Sequence, residues 1–217
     1  MKSQNQATVN VLMSTYNTPF EMAKRAIDSV LNQDFQDFEL IIIDDGSEAD
    51  TSKKLLEYVE NFETKITYLR HKNRGQSYSI NRGIQLCNSS FISIIDADDE
   101  YKPNHLSTCL KEMTSYDFVA THTDTIVDIH DDYYVPDKYN ILKNIHVDDC
   151  ILFATMFGKA EVFKKALFEN RYAADSKFYE EAAKTYKVAK LKTRTYVYYR
   201  NHSNSITAKM KVENAAK

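Results

Sequence analysis

Three carboxylates, Asp96, Asp98 and Asp99, fall within four positions of FISIIDADDEY, directly after the apolar run 91–95. Carboxylates this close repel, and at least one stays protonated unless an opposing charge compensates it. A divalent cation supplies that charge: Mg2+ or Mn2+ prefers hard oxygen ligands, often one or two carboxylates together with substrate phosphates. The competing reading is that these side chains, exposed to water, cap the helix that opens near Pro103. Two further polar clusters follow apolar runs: Ser14-Thr15-Tyr16-Asn17 after VNVLM, and Asp44-Asp45-Gly46-Ser47 after FELIII. Tyr16 can stack on a nucleotide base, and an Asp can accept from the base's N–H. Asp, Gly and Ser equally favour turns and helix caps, so DDGS alone reads both ways. The turn STYN lacks GxGxxG, which argues against NAD or FAD bound by that fingerprint, and the absence of GxxxxGK[ST] excludes a P-loop.

These clusters need strands to carry them. VNVLM, FELIII, ITYL and FISII read as buried strands. Between them, Ile27, Val30 and Leu31, then Leu55, Tyr58, Val59 and Phe62, then Ile80, Ile84 and Cys87 recur at helical spacing. Thr18-Pro19-Phe20-Glu21 predicts a capped helix start, with Thr18 as cap and Glu21 closing a capping box. Pro103 opens another helix, with Leu106, Cys109, Leu110 and Met113 inward. Strand and helix alternate four times with short connections. The fold class is therefore α/β, with right-handed crossovers and a central, mostly parallel sheet flanked by helices. In such sheets ligands bind at the carboxyl ends of the strands, where all three polar clusters sit. After Asp117 the rhythm changes. Two short strands turning about His130-Asp131-Asp132 are expected, then an apolar run at 151–157, helices over 161–168 and 175–186, and separate late strands at 188–191 and 196–200.

Composition excludes several classes. The chain has 217 residues with a net charge of -3, so no basic field recommends nucleic acid as partner. Cys87, Cys109 and Cys150 are odd in number and lack CxxC spacing, which argues against a disulfide framework or a zinc site and favours a reducing compartment. MKSQNQATVN lacks the apolar core of a signal peptide, and no stretch approaches eighteen apolar residues, so neither secretion by such a peptide nor a membrane span is expected.

VNVLMSTYN, FELIIIDDGSEADT, NRGQSYSINRGI and FISIIDADDEYKP occur in that order, followed by FATMFGKAEVF and YYRNHSNSIT. Together they resemble the family 2 glycosyltransferases, whose fold is GT-A, a Rossmann-like nucleotide-diphospho-sugar transferase fold. The resemblance implies a donor-binding half over residues 1–115 and an acceptor-binding half over 116–217 of one domain. It places Tyr16 and Asp45 on the base, most often uracil, with Thr15 and Asp44 beside them. Asp96-Ala97-Asp98 fills the family's Asp-x-Asp, Asp98 reaching the Mn2+ or Mg2+ on the diphosphate and Asp96 lying near the ribose or sugar. Arg74, in NRG, is a candidate for a diphosphate or sugar contact, or an exposed loop charge. The family's catalytic carboxylate, usually the Asp of a Glu-Asp pair opening a late helix, matches Asp175. Ala174 stands where the Glu would be, which keeps Glu180 and Glu181 as competitors and a helix cap as another use of Asp175. His202 is either a late ligand near the metal or diphosphate, as in some proteins of this fold, or an inert histidine in a polar loop.

The resemblance thus implies inverting, metal-dependent transfer from a nucleotide sugar, a UDP-sugar first, to a glycan or lipid-linked saccharide acceptor. Bacterial surface polysaccharide synthesis at the cytoplasmic face of the membrane, with peripheral association, is the implied setting. Two alternatives stay open: a nucleotidyltransferase, which should carry a glycine-rich basic signature where STYN stands, and a non-catalytic nucleotide-sugar-binding subunit.

Overall fold

The computed structural model describes residues 6–140, 142–171 and 173–200. Four parallel strands come first: β1 (Val9–Thr15), β2 (Phe38–Asp44), β3 (Ile66–Arg70) and β4 (Phe91–Asp96). Helices α1 (Phe20–Leu31), α2 (Ala49–Val59) and α3 (Gln76–Leu86) connect them. Then follow β5 (Glu100–Tyr101), α4 (His105–Glu112), β6 (Phe118–Ile126), β7 (Tyr134–Pro136), β8 (Asn144–His146), β9 (Met156–Lys159), α5 (Ala160–Lys165), α6 (Ala174–Ala183) and β10 (Val188–Tyr199). One eight-stranded sheet runs in the order β3-β2-β1-β4-β9-β6-β10-β5. β9 is antiparallel to both β4 and β6, β10 is parallel to β6, and β5 closes the edge antiparallel to β10.

Alternation along the strands explains the two-sided core. Val11, Met13, Leu40 and Ile42 pack with Ala26, Ile27 and Val30 of α1 on one face. Leu12, Ile41 and Ile43 pack with Ile80 and Ile84 of α3 on the other. Burying both faces requires the near-continuous apolar strands seen in the sequence. Register then sets the site: Thr15 pairs with Asp44 and Ser14 with Asp96, so the polar tips of β1, β2 and β4 end side by side.

Several local expectations are corrected. Thr18 does not cap α1; Pro19 occupies the cap position, without a side-chain cap bond, and the Thr18 hydroxyl meets that of Thr15 at 3.0 Å. No hairpin turns at His130. That segment is a single helical turn, and the hairpin lies between β7 and β8, where the Asp137 carboxylate accepts from the main chain of Tyr139 and Asn140. The two late strands are one: β10 absorbs the polar stretch before Tyr196 as a register shift against β6. The apolar run at 151–157 splits into a helical turn and the start of β9. Among the described residues, no helix is long and apolar enough to cross a membrane.

Candidate active site

The β1 and β2 tips are stapled together. Asn17, in the left-handed region at φ 51°, donates its N–H to Ser47 Oγ at 2.9 Å and accepts from the Glu48 N–H at 2.7 Å. Asp44 is fully buried, and its carboxylate accepts from Ser47 N, Ser52 Oγ and Tyr68 OH at 2.6–2.8 Å. Burial alone would raise its pKa, but those donors outweigh burial and hold the carboxyl below its ordinary value. Asp44 therefore ties the strand tip from within, whereas Tyr16 at the neighbouring tip stands 53% exposed. Thr15 is buried beneath it, its carbonyl accepting from Asp45 N.

Asp45 organises the next loop. Its two oxygens accept from the main-chain N–H groups of Arg74 and Gly75, each at 2.8 Å, and His71 Nδ1 lies 3.5 Å away. The loop presses so closely that a Cβ on Gly46 would stand 2.6 Å from Asn73 N; Gly46 also has φ +84°, a conformation that favours glycine. Arg74 thus has a fixed main chain, while its guanidinium lies over the Tyr78 ring, 4.8 Å from the centroid.

The acidic loop ends β4. Asp96 Oδ1 accepts from Gln76 Nε2 at 2.6 Å. Asp99 is buried and accepts from Tyr196 OH at 2.6 Å and Tyr199 N at 2.8 Å. Ala97 is buried between them, and the Asp98 carbonyl accepts from Arg25 of α1. One ligand oxygen from each of Asp96, Asp98 and Asp99 lies within 4.8 Å of the others. Burial, then the charges of Asp98 and Asp175, push Asp96 up to about 7. Burial, then Asp98 and Asp96, push Asp99 well above the ordinary carboxylate range. Among the described residues the donors to Asp96 and Asp99 are neutral, so these bonds orient the carboxylates without cancelling their charge. That donor set fits a hard divalent cation, with Asp96 and Asp98 as its first candidate ligands and Asp99 turned towards β10 as a brace.

Asp175 is the second residue of α6. The helix does not start on a capping Asp; Ala173 precedes it, in the left-handed region at φ 56°, and Asp175 Oδ1 accepts from Ser176 N at 2.7 Å. Burial raises the Asp175 carboxyl to about 6, opposed by main-chain N–H groups and by Lys138. Its charge is felt at Asp96, so the start of α6 lies within electrostatic reach of the acidic loop. Ala174, where the family's Glu would stand, is buried. Glu180 is exposed and bound to Lys138 and to Tyr139 OH, and Glu181 is exposed and paired with Lys184 at 2.6 Å. His202 lies outside the described residues.

Gln76, Arg25, Tyr196 and Tyr199 were not singled out as site residues by their sequence context. Gln76 directly follows the NRG segment, the one local signal that could have found it.

The model of glycosyl transferase family 2 matches residues 10–171. A putative colanic acid biosynthesis glycosyl transferase of Escherichia coli, WcaA, is 39% identical over 110 residues, 49% of this chain and 38% of that protein. The mannosyltransferase PcManGT of Pyrobaculum calidifontis, solved with GDP-Man and Mn2+, superposes with TM-score 0.73 at 17% identity, over 98% of this chain and 62% of that one. TarS residues 1–349 of S. aureus, solved with UDP-GlcNAc, gives TM-score 0.71 at 16% identity over 93% and 60%. Both share the GT-A architecture described above. The chain spans only 16% to 59% of the length of the first curated relatives it matches. The motifs along the first four strands, the sheet order and a family match over residues 10–171 agree, and the chain belongs to glycosyl transferase family 2.

Proposed function

We propose that this chain transfers a sugar from a nucleoside-diphosphate sugar to an acceptor hydroxyl, with inversion and with a divalent cation. The observation that carries this reading is the cluster of Asp96, Asp98 and Asp99, whose ligand oxygens lie within 4.8 Å of one another, with the half-buried Asp175 near enough for its charge to act on Asp96. Tyr16 stacks on the base, and Asp45 accepts from it while keeping the Arg74 loop in place. Asp44 and Thr15 act from beneath, by fixing the strand tips. Asp96 orients the ribose or sugar, and Arg74 reaches the diphosphate. A bound Mn2+ or Mg2+, held by Asp98 with Asp96, supplies charge neutralisation at the leaving diphosphate.

Asp175 accepts the proton of the acceptor hydroxyl as that oxygen bonds to the anomeric carbon. The bond from that carbon to the diphosphate oxygen breaks on the opposite face, and its electron pair leaves with the diphosphate. A carboxyl raised to about 6 suits this role, because a base works best with a pKa near the operating pH. Glu180 is pulled the other way, its carboxyl lowered chiefly by Lys138.

UDP is the first donor nucleotide to test and GDP the second, following the ligands bound in the two solved neighbours. The WcaA likeness supports a role in bacterial polysaccharide synthesis; a saccharide acceptor, free or lipid-linked, with the chain at the inner face of the membrane, completes the proposal. Residues 1–115 form the donor half and 116–217 the acceptor half. A non-catalytic donor-binding subunit is the second reading, favoured by Ala174 alone. Donor hydrolysis and transfer with Mn2+, measured beside Asp98→Ala, test the proposal: the variant should fold and lose metal-dependent turnover. Full turnover in that variant removes the metal role, and donor binding without turnover in the unaltered chain favours the second reading.

A further inference from the structure

Arg25 lies on the inner half of α1, far in sequence from the acidic loop, yet its guanidinium is built into that loop's back wall. One terminal nitrogen donates to the Asp98 carbonyl. The guanidinium carbon sits 3.8 Å from the centroid of the Tyr199 ring. Tyr199 in turn donates its N–H to Asp99 at 2.8 Å and its hydroxyl to Glu100 at 3.0 Å. Arg25 Nε is enclosed without a hydrogen-bond partner among the described residues, with Glu100 Oε2 3.9 Å away. The contacts that hold the side chain are therefore the stack, the terminal nitrogen and the charge of Glu100, with no hydrogen bond at Nε among the described residues.

We propose that Arg25 is a positioning residue for the cation site: by gripping the Asp98 main chain and stacking on Tyr199, it sets the spacing of the acidic side chains before a cation arrives. This rests on the reading of the acidic loop as a cation site. A lysine would keep the positive charge and could reach the carbonyl, but an ammonium has neither the planar face that lies on Tyr199 nor the guanidinium's fork of donors. Residues that orient metal ligands from behind commonly change metal affinity 10–100-fold when replaced.

The test is Mn2+ binding by the full chain, followed by the electron paramagnetic resonance signal of free Mn2+ with UDP present, for the unaltered chain, Arg25→Met and Arg25→Lys. Circular dichroism in EDTA checks that each is folded. Both variants should bind Mn2+ about tenfold more weakly, with the lysine variant closer to Arg25→Met than to the unaltered chain. If Arg25→Met does not fold, Arg25→Lys alone decides. Unaltered Mn2+ affinity in a folded Arg25→Met, or full recovery in Arg25→Lys, overturns the inference while leaving the cation site standing. An unaltered chain that binds no Mn2+ overturns the cation reading itself and the inference with it.

Discussion

Replacing Asp175 with Asn should make the metal-free protein more stable and less active at once. Burial raises this carboxyl from 3.8 to about 6. At about 1.36 kcal/mol per pKa unit, that is a cost of about 3 kcal/mol for carrying the charge in the folded state. The sign follows from the direction. The folded state keeps the proton to higher pH than the unfolded chain, so stability is full below about 3.8, falls as pH rises, and levels off once pH passes about 6. The groups facing Asp175 modify the size: Asp96 and the Cys150 thiol share its field, and Lys138 opposes the effect. Asn keeps an oxygen for the Ser176 N–H, so the main-chain bond at 2.7 Å survives. Urea unfolding of both proteins in EDTA should therefore show nearly equal stability at about pH 3 and a variant ahead by about 2–3 kcal/mol at about pH 8. In the same variant, donor binding should persist and turnover should fall by at least about 100-fold, the scale of general base catalysis. A variant no more stable than its parent at pH 8 refutes the buried-charge argument. Unchanged turnover refutes the base assignment.

Three other substitutions probe separate parts of the site. Gly46→Ala should cost at least about 2 kcal/mol by urea unfolding, because a positive φ is unfavourable for a side-chain residue and the added Cβ meets the Asn73 main chain at 2.6 Å; UDP affinity should fall with it. Tyr16→Ala should weaken UDP binding by about 1–3 kcal/mol in titration calorimetry, the worth of one aromatic–base stack, with an unshifted melting point because the ring is 53% exposed. Ala173→Gly should raise the urea midpoint by the equivalent of about 0.5–1 kcal/mol, by relieving a left-handed alanine at φ 56°.

The first half of the fold was legible because both faces of its strands are buried, which writes them as unbroken apolar runs. What those runs hid was the last one or two residues of each strand. The apolar pattern stops at Met13, Ile43 and Ile95, but ladder pairing continues to Thr15, Asp44 and Asp96, since pairing uses main-chain groups whatever the side chain. In the second half, polar residues inside β10 read as a gap, and only its neighbour β6 shows that the strand continues. The clustering of Asp96, Asp98 and Asp99 was legible through spacing. The placements of Asp44 and Asp45 were less so, because spacing cannot tell which carboxylate turns inward to Ser52 and Tyr68 and which turns to the loop at Arg74. Tyr196 and Tyr199 read as strand packing in the sequence, because they meet Asp99 across about a hundred residues of chain.

That long-range contact has an energetic consequence. Asp99 belongs to the β4 end, yet its bonds go to β10, and Asp96 is held by the first residue of α3. Asp96 and Asp99 are thus oriented by α3 and by β10, far apart in the chain, and their described donors are neutral. Neutral donors fix direction but leave the repulsion in place, and a buried negative group without an opposing charge opposes folding. On the proposed reading, a cation arriving with a diphosphate would remove that opposition in the folded state only. Its binding energy would then add to the stability of the β4–β5–β10 junction as well as to donor affinity, by about 2.7 kcal/mol at a ligand concentration one hundred times Kd. Donor binding would thereby be coupled to the join between the first four strands and β10, and the elements after β5, the proposed acceptor side, would be firmest with the donor in place.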